Sequence, residues 1–316
     1  MNQFRPAALF TILVLIVVIP HSMAQEVYTT FDYPGWETQL IAVSGNNIIG
    51  QISSSNVDFL YNGSTFTDIQ DPFATGVTYA YGISGNSIVG SYNRSGVFHG
   101  FIYDGSSYTT FNHPLGTNGT SLDAIDGNNL VGGYADSSNN THSFLYSNGT
   151  YTTLNDPLAV VGGTLPCGIS GNNIAGNYYA DVYHTTLQGF LYNISTDTYI
   201  TLADPLGTGG TVVTGVSGNN VVGYYYSSTG AHGFFYDGST YFTLDDPLAT
   251  NGTYATGISG NTIIGNYYST SQSVHGFILT LPEPSSWPLV LLGLGMLAVI
   301  KIQFSKRTHR ETLSLL

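Results

Sequence analysis

Four histidines and four aspartates recur along this chain in a fixed order, and both side chains can do chemistry. His99, His142, His232 and His275 each stand two residues before a phenylalanine. Asp71, Asp156, Asp204 and Asp246 each stand directly before a proline. Imidazoles and carboxylates ligate metals and carry protons in acid–base catalysis. The placement argues against both roles. A metal needs several ligands within about 2 Å of one ion, and each of these residues holds the same place in its own copy of a repeat. A repeated residue points to a repeated structural task. For the histidines the expectation is a hydrogen bond between neighbouring units. For the acids it is the start of a turn, which Asp-Pro favours, with a cation-holding ring of carboxylates as the other reading.

Other catalytic patterns are missing. A glycosidase needs two carboxylates about 5 to 10 Å apart, and only the adjacent Asp245 and Asp246 stand out from the repeat. No nucleophile elbow, HExxH or phosphate loop is present. The single Cys167 excludes an intrachain disulfide. It lies in LPCGIS where sister copies read YAYGIS and YATGIS, so it fills a repeat position. The expectation is a protein with no catalytic residue, no metal and no cofactor, hence not an enzyme.

Charge narrows the partners. Between residues 25 and 281 the one cation, Arg94, faces seventeen acids, a net of −16. Such a body repels nucleic acid. The 24 tyrosines offer another chemistry, stacking on sugar rings and bonding their hydroxyls. Tyr178, Tyr179 and Tyr183, Tyr224, Tyr225 and Tyr226, and Tyr267 and Tyr268 are the candidate ligand face. The competing reading makes them strand ends packed between units.

The elements that position these residues come from self-similarity. A Ser-Gly-Asn turn begins at Ser44, Ser84, Asp126 (the variant), Ser170, Ser217 and Ser259. An aromatic follows at Phe59, Phe101, Phe144, Phe190, Phe234 and Phe277. A proline recurs at Pro34, Pro72, Pro114, Pro157, Pro205 and Pro247. Each unit holds four short runs rich in aromatic and β-branched residues, bounded by Gly, Asn, Asp or Pro. The spacing predicts an all-β, six-bladed β-propeller with four strands per blade over residues 25–281. EVYTTFD is a fourth strand with no first three before it, and HGFILT a third with no fourth after it. The N-terminal strand is therefore expected to close the last blade and hide its free edge. An open β-solenoid needs no such complementary ends.

Spacing also separates fixed turns from variable loops. Turn residue to glycine (Gly50, Gly90, Gly132, Gly176, Gly223, Gly265) is always 6, whereas glycine to phenylalanine runs from 9 to 14. In a meander the variable loop and the DPLATNGT-type loop share one face, and binding favours such loops.

The ends read as addresses. Residues 1–24 combine Arg5, an apolar run and Ser22-Met23-Ala24, the pattern of a secretory signal peptide. Residues 282–310 hold Pro282-Glu283-Pro284, an apolar segment expected to form a transmembrane helix at about 287–304, then Lys306, Arg307 and Arg310; 311–316 is a cytoplasmic tail. This end resembles the PEP-CTERM sorting signal of exopolysaccharide-producing Gram-negative bacteria, with a sparser basic cluster. The resemblance implies export through the inner membrane, recognition by an exosortase, and display at the cell surface or release, with the helix in the membrane before sorting. The alternative is an ordinary C-terminal anchor. Residues 26–280 also resemble the extracellular HAF repeats, through His99-Gly100-Phe101, His142-Ser143-Phe144, His232-Gly233-Phe234 and His275-Gly276-Phe277. The middle alanine is absent, and the fourth copy has Gln188-Gly189-Phe190.

Three functions follow as expectations. The first is a structural or adhesive surface protein of the exopolysaccharide layer. The second is a carbohydrate-binding, lectin-like propeller, and the third, ranked last, is a polysaccharide-active enzyme.

Overall fold

The computed structural model describes residues 27–55, 57–160, 163–181, 183, 187–269 and 273–281. The signal peptide, the Pro282-Glu283-Pro284 motif and the expected transmembrane helix lie outside them.

Strand β1 (Tyr28–Phe31) precedes the first full blade, β2 (Thr38–Ser44), β3 (Asn47–Ile52), β4 (Val57–Tyr61) and β5 (Phe66–Asp68). Blade 2 is β6 (Thr78–Ser84), β7 (Ser87–Arg94), β8 (Val97–Tyr103) and β9 (Tyr108–Phe111). Blade 3 is β10 (Gly119–Asp126), β11 (Asn129–Ala135), β12 (Thr141–Ser147) and β13 (Thr150–Leu154). Blade 4 is β14 (Thr164–Ser170), β15 (Asn173–Tyr179), β16 (Leu187–Asn193) and β17 (Thr198–Leu202). Blade 5 is β18 (Thr211–Ser217), β19 (Asn220–Ser227), β20 (Gly230–Tyr236) and β21 (Tyr241–Leu244). The chain ends in β22 (Thr253–Ser259), β23 (Thr262–Tyr268) and β24 (Val274–Thr280). These make six four-stranded antiparallel sheets, the sixth ordered β1-β24-β23-β22. The N-terminal strand thus completes the last blade, with Tyr28 opposite Leu279 and Phe31 opposite Gly276. The closed ring is the expected one.

Each marker of the repeat has a physical task. The glycine and the phenylalanine are cross-strand partners, as in Gly50↔Phe59, Gly90↔Phe101 and Gly265↔Phe277. A Cβ at Gly90 would strike the Tyr79 carbonyl oxygen and the Phe101 ring. The ring therefore lies over a residue without a side chain, and Phe59, Phe101, Phe190, Phe234 and Phe277 are wholly buried. Burial of each contributes roughly 1.5–3 kcal/mol.

The turn serine links blades. Ser44 Oγ accepts from Gly85 N, Ser84 from Gly127, Ser170 from Gly218, Ser217 from Gly260 and Ser259 from Gly45. Asp126 does the same for Gly171 N. The variant keeps an acceptor, so this circle of six bonds is complete. The core lies between blades as well. Each of its six clusters spans one adjacent pair, as when Ile264 of β23 packs with Leu40, Ile48 and Phe59.

Candidate functional site

First strands of all six blades surround a central channel. Each carries a β-bulge, between Leu40 and Ala42, Ala80 and Gly82, Leu122 and Ala124, Pro166 and Gly168, Val213 and Gly215, and Ala255 and Gly257. A bulge turns its extra residue out of the sheet. The six extra residues, Ile41, Tyr81, Asp123, Cys167, Thr214 and Thr256, line the channel mouth. Among them Asp123 is the one carboxylate. All six stand three residues before the turn residue, so alignment on that turn places Asp123 in a column of otherwise uncharged side chains.

At three interfaces the residue before the bulge gives its backbone N–H to a side chain of the preceding blade. Leu40 N donates to Asn266 Oδ1 at 2.7 Å, and Asn266 Nδ2 donates back to Leu40 O at 3.1 Å. Val213 N and O make the same pair with Asn177, both at 2.8 Å. Ala80 N donates to Asp58 Oδ2 at 2.6 Å, and Gln51 Nε2 donates to Asp58 Oδ1 at 2.8 Å. The position equivalent to Asn177 and Asn266 is Gly133 in blade 3, and the residue it would serve is Pro166. Proline has no N–H, so no staple is needed there.

The column of Gly133 varies, with Gln51, Ser91 and Tyr224 in blades 1, 2 and 5. At blade 3 a cleft of about 400 Å³ runs from blade 2 to blade 4. It lies on the loop face, where loops between blades bond the ends of second strands, as in Asn118 N to Ala135 O and Thr250 N to Tyr268 O. One wall is aromatic. Tyr79 stacks on Tyr81 at 6.2 Å and on Phe98 at 6.3 Å, with interplanar angles of 23° and 29°. Tyr81 and Phe98 are each 39% exposed, and Leu165 opposite is 40% exposed. Asp123 sits where cleft and channel mouth meet. Its Oδ1 accepts from Ser121 Oγ at 2.9 Å. Desolvation pushes its carboxyl up to about 6 against that bond. Burial likewise raises Tyr81, whose hydroxyl bonds Ser91. Cys167, close to Asp123, is pushed up to about 12 by burial, so its thiol stays protonated.

The sequence-derived tyrosines divide. Tyr178, Tyr225 and Tyr267 are buried between strands, their hydroxyls bonded to Thr201, Thr243 and Thr30. The packed-strand-end reading holds for these three. Tyr179, Tyr224 and Tyr268 are half-buried, Tyr226 is exposed, and Tyr183 is 84% exposed. Tyr224 packs edge-on against Tyr226 and Tyr254, and Tyr254 against Tyr268, a second aromatic cluster away from the cleft.

The histidines do have one structural task, but within a blade rather than between blades. His232 bonds Asp245 at 3.0 Å, His275 bonds Asp32 at 2.8 Å and His99 bonds Asn112 at 3.2 Å, each tying the third strand to the residue after the fourth. His142 takes Asp136 instead, at 3.0 Å. All four stack on a tyrosine of the neighbouring strand, at 5.0 to 5.4 Å. The aspartates before proline are buried, and Oδ1 of each accepts from the N–H two residues on at 2.8 Å. They are turn formers. Among the described residues no group of three or more His, Cys, Asp or Glu is placed to hold a metal.

The fold defines a six-bladed propeller with a cleft over blade 3. No protein-family model matches the chain, and comparison with curated proteins gave no match. Among solved structures, a candidate TolB from Agrobacterium tumefaciens is similar at 14% identity and a TM-score of 0.51, over 82% of this chain and 91% of that one. The β-propeller domain of the Trilobed protease from Pyrococcus furiosus is similar at 10% identity and a TM-score of 0.49, over 75% and 77%. An Aleuria aurantia lectin in complex with α-methyl-L-fucoside is similar at 15% identity and a TM-score of 0.43, over 81% and 93%. At these identities the likeness concerns the fold alone.

Proposed function

We propose that this chain is an exported surface propeller that holds a saccharide in the cleft over blade 3, with an adhesive role in a polysaccharide layer. The observation that carries the binding reading is the cleft at Gly133 and Pro166, walled by the exposed rings of Tyr81 and Phe98. Stacked rings beside hydroxyls and one carboxylate match a sugar, with its apolar ring face and hydroxyl rim. The cleft lining contains a single carboxylate, Asp123, where glycoside hydrolysis uses two. The export reading rests on the signal-peptide pattern and on Pro282, Glu283 and Pro284, whose reader would be an exosortase. One geometric fact favours display. Leu281 N donates to Asn261 O in the sixth tight turn, so Leu281 lies on the face opposite the cleft.

Gly133→Asn tests the binding reading. A Cβ at Gly133 meets only the His142 carbonyl oxygen, at 3.5 Å, so the substitution fits the fold and fills the cleft. On a glycan array, full-length protein should bind at least one saccharide, and Gly133→Asn should lose that binding with its melting temperature intact. No binding, or equal binding by the variant, refutes the reading. Detection of residues 282–316 on the mature surface protein would refute cleavage at the sorting signal.

A further inference from the structure

The cleft is lined by one carboxylate, Asp123, and by no Lys or Arg. We propose that its ligand is a saccharide carrying a free amino group, a non-acetylated hexosamine whose ammonium pairs with Asp123. This rests on the saccharide reading and names the class of sugar.

Three observations lead there. The first is the state of the carboxylate. Ser121 Oγ donates to Oδ1, while among the described residues no protein group donates to Oδ2. A partly desolvated carboxylate with an unused oxygen gains most from a charged donor, because charge-assisted hydrogen bonds exceed neutral ones. The second is the company it keeps. No Lys or Arg lines the cleft, Tyr81 and Cys167 beside Asp123 are held neutral by burial, and His142 is engaged with Asp136 at 3.0 Å. The third is the field of the whole body, net −16 between residues 25 and 281. It draws cations in and turns uronic acids away.

The placement suits one sugar unit. The aromatic shelf of Tyr81 and Phe98 offers a stacking surface, and Asp123 marks its channel end. A ring lying on the shelf would bring a substituent on its channel side to Asp123. As an amine it meets the carboxylate. As an acetamide it brings a carbonyl oxygen and a methyl group to a site that needs a donor. Burial already disfavours the Asp123 anion, and a bound ammonium relieves that cost.

The test is calorimetric titration of the full-length protein at pH 7.5 with four probes: the glucosamine trimer, the N-acetylglucosamine trimer, a glucuronic acid trimer and trilysine. The glucosamine trimer should bind at least tenfold more tightly than the other three. Asp123→Asn should remove that preference and leave the affinity for the acetylated trimer within twofold. Should that variant fail to fold, Asp123→Thr serves, because Thr214 and Thr256 occupy the same slot in blades 5 and 6. Equal or tighter binding of the acetylated trimer overturns the amino-sugar assignment and leaves the saccharide reading standing. Tightest binding by trilysine assigns the cleft to a basic peptide and overturns both. Binding of no probe, together with a blank glycan array, also overturns both.

Discussion

Asp58→Asn should make this protein more stable at neutral pH. Asp58 is 1% exposed between blades 1 and 2 and bonds Ala80 N and Gln51 Nε2. Desolvation outweighs both bonds and raises its carboxyl from 3.8 to about 6. A rise of about two pK units corresponds to roughly 3 kcal/mol between the protonated and ionised folded forms. The folded value exceeds the unfolded one, so the native state binds the extra proton between about pH 4 and 6. Stability is therefore fully present below about pH 4 and lost as pH rises through 6. Asparagine keeps an oxygen for Ala80 N–H and carries no charge to desolvate, and Gln51 can rotate its amide to accept from Nδ2. Asn177 and Asn266 already perform this task at Val213 and Leu40. Urea denaturation followed by tyrosine and tryptophan fluorescence, from pH 4 to 8, measures the effect. At pH 7.5 the variant should gain about 2–3 kcal/mol, and at pH 4 the two proteins should coincide. A loss at pH 7.5, or an unchanged pH slope, refutes the reasoning.

Other outcomes follow from the same geometry. Tyr81→Ala should weaken saccharide binding about tenfold, or ~1.4 kcal/mol, while the protein stays folded, as titration and a thermal melt would show. Gly90→Ala should cost about 3 kcal/mol or more in denaturant unfolding, since its methyl meets Tyr79 O and the Phe101 ring. Asp32→Ala removes the His275 partner and an acceptor for Gly276 N, and should cost about 1–3 kcal/mol and speed exchange of the β1 and β24 amides. Cys167 should resist alkylation at pH 8 in the folded protein and react readily in urea, because burial holds its thiol up to about 12.

The architecture was legible because its markers are mechanical. Gly265 and Phe277 must face one another across a ladder, and Ser259 must reach Gly45, so each copy keeps them. The loop face was legible from spacing alone. The cleft was not, because repeats direct attention to what recurs. Tyr178, Tyr225 and Tyr267 stand out as tyrosines, yet their column also holds Tyr92 and Tyr134, and its residues pack against the histidine and phenylalanine strands. A column shared by most blades does structural work. The informative residues depart from their columns: Asp123 among Ile41, Tyr81, Cys167, Thr214 and Thr256, Gly133 among Gln51, Ser91, Asn177, Tyr224 and Asn266, Pro166 among residues that keep an N–H. Searching for paired acids passes over Asp123, whose neighbours in space come from blades 2 and 4. The cleft also depends on residues 133 and 166 coming together from different blades, and no local pattern displays that.

Closure by a four-residue strand has a mechanical consequence. In the sixth blade β24 is an inner strand, paired over seven positions with β23 and four with β1. A pull on Leu281, away from the opposite face, runs along the axis of β24. It loads both ladders in shear, so their bonds resist together. A pull on Val27 acts on β1, which has one neighbour and four paired positions. Tension applied at Leu281 is thus shared by two ladders, and the N-terminal strand serves as a clasp held on the same inner strand.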